Sequence, residues 1–464
     1  LLTQGSFTKK DTGMNVHYCV MILGLGLCVT GVQAQDTSML PEVLSLQEAH
    51  RIAVSDSPSL KAAEARLEQA EAVFKQSHSE YLPQLDASAA ATFTELSDKD
   101  VAQGKQTAQF FGTSFDDTVE SYTGNVSMRY LLFDGFGRKF RSAYARLGTE
   151  RSEASLQEAH RLLLNAVSLA YHTVQLAREN IIIARADESF NARQLKEAQL
   201  RLNAGRGSLS DTLNFEVRIR AAQSALLQAE RSHAVSLIAL VRLMGVEHTR
   251  VPETMNVDTL QLEREDELGA LNTQVLIAEA LSHRPDLQNT QLLLEQTDAL
   301  VGIGESHYFP TVSGLLSGDA RRGDNGYFEE DDFSSTVGVQ LQYNIYTGGR
   351  RKAVLHENQA IHREVQYALD DQGIQVAAEV REAARNLETA QQVLILQRET
   401  ASLVEKNRDL VEKEYRAGQG SLVRLNQAQR DLTSQQASLA SARVALRQAW
   451  VTLDVATGAI LSIN

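Results

Sequence analysis

Two long stretches of the chain carry apolar residues at every third or fourth position, the spacing of an amphipathic helix. They run from Arg138 to Ala204 and from Arg350 to Ala417, and most of their other positions are Gln, Glu, Arg, Ser or Ala. No proline interrupts either stretch, so each can form one helix roughly 100 Å long. The apolar positions are Leu162, Leu163, Val167, Leu169, Ala170, Val174 and Leu176, with Ile374, Val376, Val380, Ala383 and Leu387 in the second stretch.

Shorter segments alternate apolar and polar residues, as strands with one apolar face do. The clearest ones cover 125–132 and 337–345, with long polar loops predicted at 94–120 and 317–335. Their length fits strands that span a membrane, and it also fits a half-buried sheet covered by the helices. The predicted apolar face contains Val126, Met128, Tyr130, Leu132, Val339, Leu341, Tyr343 and Ile345.

The chain contains an internal duplication. Tyr-Leu-Pro at 81–83 returns as Tyr-Phe-Pro at 308–310, which is 227 positions later. The segment 204–209 returns at 417–422, which is 213 positions later. The difference of 14 positions predicts an insertion in a surface loop of the first repeat, after Pro83.

The repeats and an apolar leader set the predicted organisation. Residues 16–32 are strongly apolar and precede Gln33-Ala34, which suits a signal peptide cleaved after Ala34, with translation starting at Met14 or upstream of it. The predicted parts are a signal peptide at 1–34 and one protomer at 35–464, made of repeats at about 45–245 and 272–458 that are joined by a connector at 246–271.

The cysteines and the apolar runs limit how the mature chain can meet a membrane. Cys19 and Cys28 are the only cysteines, so none follows Ala34, and lipidation of Cys28 is not expected because Leu27 is not small. No run of about 20 apolar residues follows Ala34, so a membrane contact requires strands. Four strands cannot close a barrel, and lipid does not tolerate an open sheet edge, so this interpretation requires three protomers with 12 strands.

Charge and motifs argue against several function classes. The formal net charge of −14 argues against a nucleic-acid partner. The chain lacks the His-Glu-x-x-His, Gly-x-Ser-x-Gly and phosphate-loop motifs, and the acidic run 329–332 lacks the spacing of a calcium loop. No catalytic residue, metal site or cofactor is therefore predicted.

A glycine-rich turn follows each long helical stretch. Glycine adopts the left-handed backbone that ends a helix, and a serine just beyond can cap the returning helix. Each repeat is therefore predicted to end in a helical hairpin tip. The tips comprise Ala204, Gly205, Arg206, Gly207 and Ser208 in the first repeat, and Ala417, Gly418, Gln419, Gly420 and Ser421 in the second.

These features together resemble the TolC-type outer-membrane channel family. The motifs are the paired Tyr-x-Pro segments, the segments Leu132–Arg138 and Ile345–Arg350 that leave the sheet, and Tyr415-Arg416-Ala417-Gly418. The resemblance implies a mainly α protein with a membrane part: a homotrimer with a 12-stranded β-barrel, four strands per protomer, continued by a long α-helical periplasmic tunnel.

The resemblance also implies partners and site residues. The tips would dock on a periplasmic adaptor joined to an inner-membrane transporter, driven by ATP or by protons, and the eight apolar strand residues would face outer-membrane lipid. The tunnel constriction would involve Asp211, Arg424 and Gln427. Family members often carry acidic residues there, whereas Arg201, Arg206, Arg416 and Arg424 predict basic tips that bind cations less well.

The cargo is left open by these patterns. The resemblance implies drugs, small toxic compounds or secreted proteins, and the lack of a suitable lipid-anchor cysteine favours type I protein secretion or multiple uses. The alternative function is that of a periplasmic coiled-coil structural or adaptor protein with a small soluble sheet. Localisation in the outer membrane as a detergent-requiring trimer would separate the first function from the second.

Overall fold

The structure is a computed structural model that describes residues 40–247, 252, 255–261, 269, 271–323 and 326–462. The predicted signal peptide and much of the predicted connector lie outside the described residues. The described chain is mainly helical, with one four-stranded sheet and one short strand pair. None of its helices combines the length and the apolar character needed to cross a bilayer.

Nine α-helices make up most of the described chain. They are α1 Leu46–Asp56, α2 Pro58–Ser79, α3 Asp98–Phe111, α4 Gly137–Asn203, α5 Leu209–Met244, α6 Thr273–His283, α7 Pro285–Ser306, α8 Arg350–Arg416 and α9 Leu422–Thr457.

The two long helices are confirmed to within one residue at each end. α4 and α8 each contain 67 residues, and the returning helices α5 and α9 each contain 36. The shorter helices also correspond, because α1 and α6 have 11 residues each and α2 and α7 have 22 each. The helical parts of the two halves therefore have the same lengths, which agrees with the duplicated sequence.

The four-stranded sheet is antiparallel throughout. The strands of the described chain are β1 Val43–Leu44, β2 Gln84–Glu95, β3 Thr118–Phe133, β4 Asn256–Val257, β5 Thr311–Gly323 and β6 Phe333–Gln342. The four strands of the sheet lie in the order β2-β3-β5-β6, so that β2 and β6 form its two edges. A separate parallel pair joins β1 to β4.

The strand boundaries differ from the prediction at one end of the sheet. β6 ends at Gln342, so Tyr343 and Ile345, which were predicted to lie on the strand, follow it instead. Gln342 pairs with Thr311, the first residue of β5. The residue before Thr311 is Pro310, which has no backbone N–H to continue a ladder. The alternating pattern of 337–345 therefore continues beyond Gln342, where β5 offers no further residue for pairing.

The two predicted loops are also shorter than expected. β5 and β6 continue their pairing as far as Ala320 opposite Phe333, which removes much of the predicted loop 317–335. The predicted loop 94–120 contains the 14-residue helix α3, in the repeat where an insertion was expected. Ser97 caps α3 through its side chain, and Gly112 ends it with φ of 70°.

Two apolar cores hold the helices together, one for each repeat. The first packs α1, α4 and α5 around the short strands β1 and β4, and the second packs α6, α8 and α9. In the first core the buried hydroxyl of Tyr171 donates to the carbonyl of Leu44 at 3.0 Å and accepts from the N–H of Asp258 at 3.2 Å. This hydroxyl therefore ties both short strands to α4.

Two buried arginines satisfy carbonyl groups at the end of α9. Arg161 donates to the Val455 carbonyl at 2.7 Å, and Arg284 donates to the Ala456 carbonyl at 3.3 Å. The carboxylate of Asp286 accepts from Arg284 at 2.7 Å. A cation near a helix C-terminus is favourable, and the carboxylate offsets the desolvation of the guanidinium.

Asp454, beside these carbonyl groups, makes the stability depend on pH. Burial raises the pKa of its carboxyl from 3.8 to about 6, so the unfolded chain loses this proton first as the pH rises. The free energy of unfolding should therefore fall between about pH 4 and pH 6. At pH 7.5 we expect Asp454→Asn to have a higher free energy of unfolding than wild type. The pKa shift sets an upper limit of about 3 kcal/mol for this difference, and solvent screening of the partly exposed side chain makes it smaller.

Thermal unfolding of the detergent-solubilised protein at pH 4 and pH 7.5 measures this difference. Asp371→Asn is the matched control, because Asp371 is exposed on α8. Equal unfolding temperatures of wild type and Asp454→Asn at pH 7.5 would contradict the prediction.

Candidate channel tip and assembly edges

Each predicted tip is a tight turn between a 67-residue and a 36-residue helix. Gly205 has φ of 70° and Gly418 has φ of 79°, a region that favours glycine. The Ser208 hydroxyl accepts from the N–H of Ser210 at 3.1 Å, and the Ser421 hydroxyl accepts from the N–H of Arg424 at 3.3 Å. Both serines therefore cap the returning helices, as predicted.

The second glycine of each turn is required for a different reason. A Cβ atom on Gly207 would lie 2.7 Å from the backbone nitrogen of Leu202, and one on Gly420 would lie 2.9 Å from that of Tyr415. Backbone atoms cannot yield to such a contact without a shift of the helix end. Nine of the ten predicted tip residues are exposed, and Gly420 is half-buried.

A third apolar core joins the two hairpins close to the tips. Its buried residues are Phe190, Ala198, Phe215, Val411, Tyr415, Leu425 and Ala428. The rings of Phe215 and Tyr415 meet nearly edge to face, with centroids 6.5 Å apart. The two tips are therefore held side by side, so that residues of both repeats can act together.

The carboxylate of Asp211, a predicted constriction residue, lies near the Tyr415 hydroxyl across the hairpins. Burial and the nearby Asp211 carboxylate raise the pKa of the Tyr415 hydroxyl, which keeps it a donor at neutral pH. The guanidinium of Arg201 lies 5.3 Å from the Tyr415 ring centroid. Tyr415 was not predicted to lie near Asp211, because the two residues belong to different repeats.

The arginines of the tips face carboxylates. Arg416 pairs with Glu197 at 3.1 Å, and Arg424 pairs with Glu414 at 3.2 Å. Arg201 lies 4.0 Å from the same Glu197. Three of the four arginines that predicted basic tips are thus accompanied by acidic groups. The basic character inferred from the sequence is therefore largely balanced, because the partners come from another turn or another helix.

The second repeat also places a carboxylate near the predicted constriction residue Gln427. The Gln427 amide donates to Asp431, one turn along α9, at 2.7 Å. Both side chains are exposed. The spacing of four positions is the one signal that could have revealed this pair in the sequence, since such residues are neighbours on a helix.

Polar contacts between the hairpins continue above the tips. Asn426 donates to Asn214 at 2.9 Å, and Gln429 donates to Asp187 at 2.8 Å. Asn426 and Gln429 are buried. Groups of this kind hold one defined register between helices, since each would be left unsatisfied in another one.

The helices of each protomer have two unpartnered edges. α5 packs mainly on α4 and α1, and α8 packs mainly on α9, α7 and α6. In the described chain α5 and α8 meet close to the tips, where Phe215 packs on Tyr415, and are not extensively packed on each other elsewhere. Both carry exposed apolar side chains at helical spacing. On α5 they are Leu209, Leu213, Val217, Leu227, Val235 and Ile238, and on α8 they are Tyr367, Ile374, Leu396, Leu403 and Leu410.

The sheet likewise has free edges and one exposed apolar face. β2 and β6 each pair on one side only. The predicted lipid-facing residues are exposed, with Val126 at 52% and Val339 at 74%, except for Met128, which is half-buried. Tyr343 and Ile345, beyond the end of β6, are exposed too.

This architecture defines a protomer that is incomplete at both edges and has a sheet at one end and helical tips at the other. The described residues contain no group of three or more His, Cys, Asp or Glu placed to hold a metal ion. The sequence profile of the outer membrane efflux proteins matches residues 51–246 and 276–459. The chain belongs to the outer membrane efflux protein family.

Comparisons with individual proteins agree with this assignment. The chain is 27% identical over 427 residues to the pyoverdine export outer membrane protein OpmQ of Pseudomonas aeruginosa. This alignment covers 90% of this chain and 85% of that protein. It is 27% identical over 275 residues to the alkaline protease secretion protein AprF of the same species. This alignment covers 57% of this chain and 55% of that protein. The Campylobacter jejuni CmeC outer membrane channel has a similar fold, with a TM-score of 0.75 at 16% identity over 89% of this chain and 85% of that one.

The resemblance to the TolC-type channels is therefore confirmed. The chain is an outer-membrane channel protein of the efflux and secretion type, in a family of channel proteins. The alternative function, a periplasmic structural or adaptor protein with a soluble sheet, is not supported by these relatives.

Proposed function

We propose that three copies of this chain close into one channel that carries exported molecules across the outer membrane. The proposal rests on one observation: both the sheet and the helical layer of the protomer have two free edges. Strands β2 and β6 are edges of the sheet, and helices α5 and α8 are edges of the helical layer. A head-to-tail contact that joins one edge to the opposite edge of the next copy closes into a ring.

The number of strands favours three copies. Four strands per chain supply 12 in a trimer, which is wide enough for a water-filled lumen. Closure also removes the unpaired backbone groups of β2 and β6, which would be costly in lipid. The exposed apolar stripes on α5 and α8 pack together in the same step, so that the helices continue the barrel as a tunnel through the periplasm.

The tips are proposed to bind a periplasmic adaptor, which links the channel to an inner-membrane transporter. The ten tip residues are suited to this role because they are almost all exposed at the far end of the long helices. The transporter, driven by ATP or by a proton gradient, supplies the energy, and the channel itself catalyses no reaction. Asp211, Arg424 and Gln427 are proposed to lie at the narrow end of the tunnel.

The names of the relatives support export of more than one kind of cargo. OpmQ is named for pyoverdine export and AprF for alkaline protease secretion. We propose that this chain likewise exports small compounds, secreted proteins or both, since the specificity of such a system resides in the transporter that loads the channel.

Cell fractionation together with single-channel recording tests the proposal. We expect the full chain to fractionate with the outer membrane, to require detergent for extraction, to migrate as three chains and to conduct ions in a planar bilayer. Deletion of β5 and β6, residues 311–342, is expected to abolish conductance, because two strands per chain cannot close the same barrel. A monomer in the soluble periplasmic fraction would refute the proposal.

A further inference from the structure

The two junctions between a strand and a long helix are built around equivalent arginines. In the first repeat, Arg138 lies over the ring of Tyr81 at 5.0 Å and donates to the carbonyl of Leu132 at 3.2 Å. In the second repeat, Arg351 lies over the ring of Tyr308 at 5.6 Å and donates to the carbonyl of Asn344. Each arginine therefore joins the end of a strand to the start of a long helix.

The first junction neutralises its own cations. Asp134 accepts from the backbone N–H of Arg138 at 2.7 Å and from the guanidinium of Arg141 at 2.9 Å. Glu80 accepts from the same Arg141 at 2.8 and 2.7 Å. Both carboxylates contact the guanidinium of Arg141, whereas the guanidinium of Arg138 donates to the carbonyls of Glu80 and Leu132. The formal charges of the two arginines and the two carboxylates sum to zero.

The second junction has cations without carboxylates. Thr347 stands at the position of Asp134, and His307 stands at the position of Glu80. Arg350 replaces Gly137, so this junction has two neighbouring arginines and lacks both carboxylates of the first junction. The acceptors of Arg351 are neutral, namely the hydroxyl of Thr347 at 3.5 Å and two backbone carbonyls. Neither Arg350 nor Arg351 makes an ion pair within the described chain.

A cavity of about 470 Å³ opens at this second junction. Its charged lining consists of Arg350 and Arg351 from the second junction and of Arg141 and Asp134, which pair with each other, from the first. Phe309 and Val354 contribute apolar surface. Such a mixed lining, with a net positive charge beside apolar side chains, complements an anionic group attached to an apolar chain.

We propose that this junction cavity binds the phosphate of an anionic phospholipid headgroup. The internal comparison supports an anion, because the first junction balances its two arginines with the carboxylates of Glu80 and Asp134, and the second junction has neutral residues at both equivalent positions. The apolar lining and the exposed Ile345 and Tyr346 nearby, each 87% exposed, favour a lipid over a free oxyanion. The inference rests on the proposed function, because strands that cross the membrane would place this junction at the membrane surface.

Binding of short-chain lipids to the detergent-solubilised full-length protein tests the proposal. Dihexanoyl phosphatidylglycerol is titrated by native mass spectrometry, with dihexanoyl phosphatidylcholine and inorganic phosphate as further probes. Thr347→Asp restores the carboxylate of the first repeat, and Arg350→Gln removes an exposed cation. We expect each variant to bind phosphatidylglycerol about tenfold more weakly than wild type. The new carboxylate competes with the phosphate for the arginines and the glutamine removes one of them, so each change costs about one charge-assisted hydrogen bond.

Lys352→Gln is the matched control, because it removes an exposed positive charge two residues from Arg350 that does not line the cavity. Its affinity should equal that of wild type. Unchanged affinity in Thr347→Asp and Arg350→Gln would overturn the proposal, and so would equal affinity of wild type for inorganic phosphate and phosphatidylglycerol. The conductance of both variants should stay normal, so a failure of lipid binding is distinguishable from a failure of channel function.

Discussion

Replacement of Leu403 by glutamate is expected to abolish the trimer. Leu396, Leu403 and Leu410 are exposed on α8 at intervals of seven residues, the repeat of a coiled-coil seam. If this seam packs on α5 of the next copy, the substitution loses roughly 2 kcal/mol of leucine burial at each interface. It also leaves an unpaired carboxylate there, which adds at least about 3 kcal/mol.

The effect recurs at all three interfaces of a ring, so the protein should elute as a monomer. Size-exclusion chromatography with light scattering in detergent measures the number of chains. Ser402→Glu is the matched control, because it adds the same charge to an exposed position about 100° round the helix. Leu403→Met should retain the trimer. A Leu403→Glu protein that remains trimeric would place the subunit contact on another surface.

Replacement of Tyr415 by phenylalanine is expected to open the tip. The Tyr415 hydroxyl lies near the Asp211 carboxylate across the two hairpins, and we expect it to donate a hydrogen bond to that carboxylate in the closed tip. The substitution removes this hydroxyl and keeps the ring that packs on Phe215. Loss of a hydrogen bond to a charged group destabilises the closed arrangement by about 1.5–3 kcal/mol. The ratio of open to closed channels should therefore rise at least about tenfold, measured as a higher open probability in single-channel recordings.

Tyr367→Phe is the control for this substitution, because it removes the hydroxyl of a tyrosine that is 69% exposed and lies elsewhere on α8. Asp211→Ala should have an effect similar to that of Tyr415→Phe, and the double variant should add little, since both remove the same contact. Independent, additive effects of the two substitutions would show that the hydrogen bond does not hold the tip closed.

The long helices were predictable because their signals are local. Absence of proline, helix-forming residues and apolar periodicity act within a few turns, and they located α4 and α8 to within one residue. Helix α3 carried similar local signals in Ser97 and Gly112 at its ends, and it was missed because its polar composition also suits a loop.

The strand ends and the tip contacts were not predictable in the same way. The end of β6 depends on where its partner β5 begins, which is a property of a different segment. The ion pair of Arg416 with Glu197 joins residues 219 positions apart. Such pairs exist only once the two hairpins have packed, so the apparent basic character of the tips could not be corrected from composition.

Local sequence patterns were sufficient to predict the duplicated order of elements, the lengths of the long helices and the tight turns at Gly205 and Gly418, because backbone propensity and periodicity act over short distances. Contacts between distant residues exist only in the folded chain: Asp211 lies near Tyr415 at the tips, and the two junctions differ in whether carboxylates accompany their arginines. Charge compensation and hydrogen bonding depend on distance in space, which is set by the packing of α2, α4, α5 and α8.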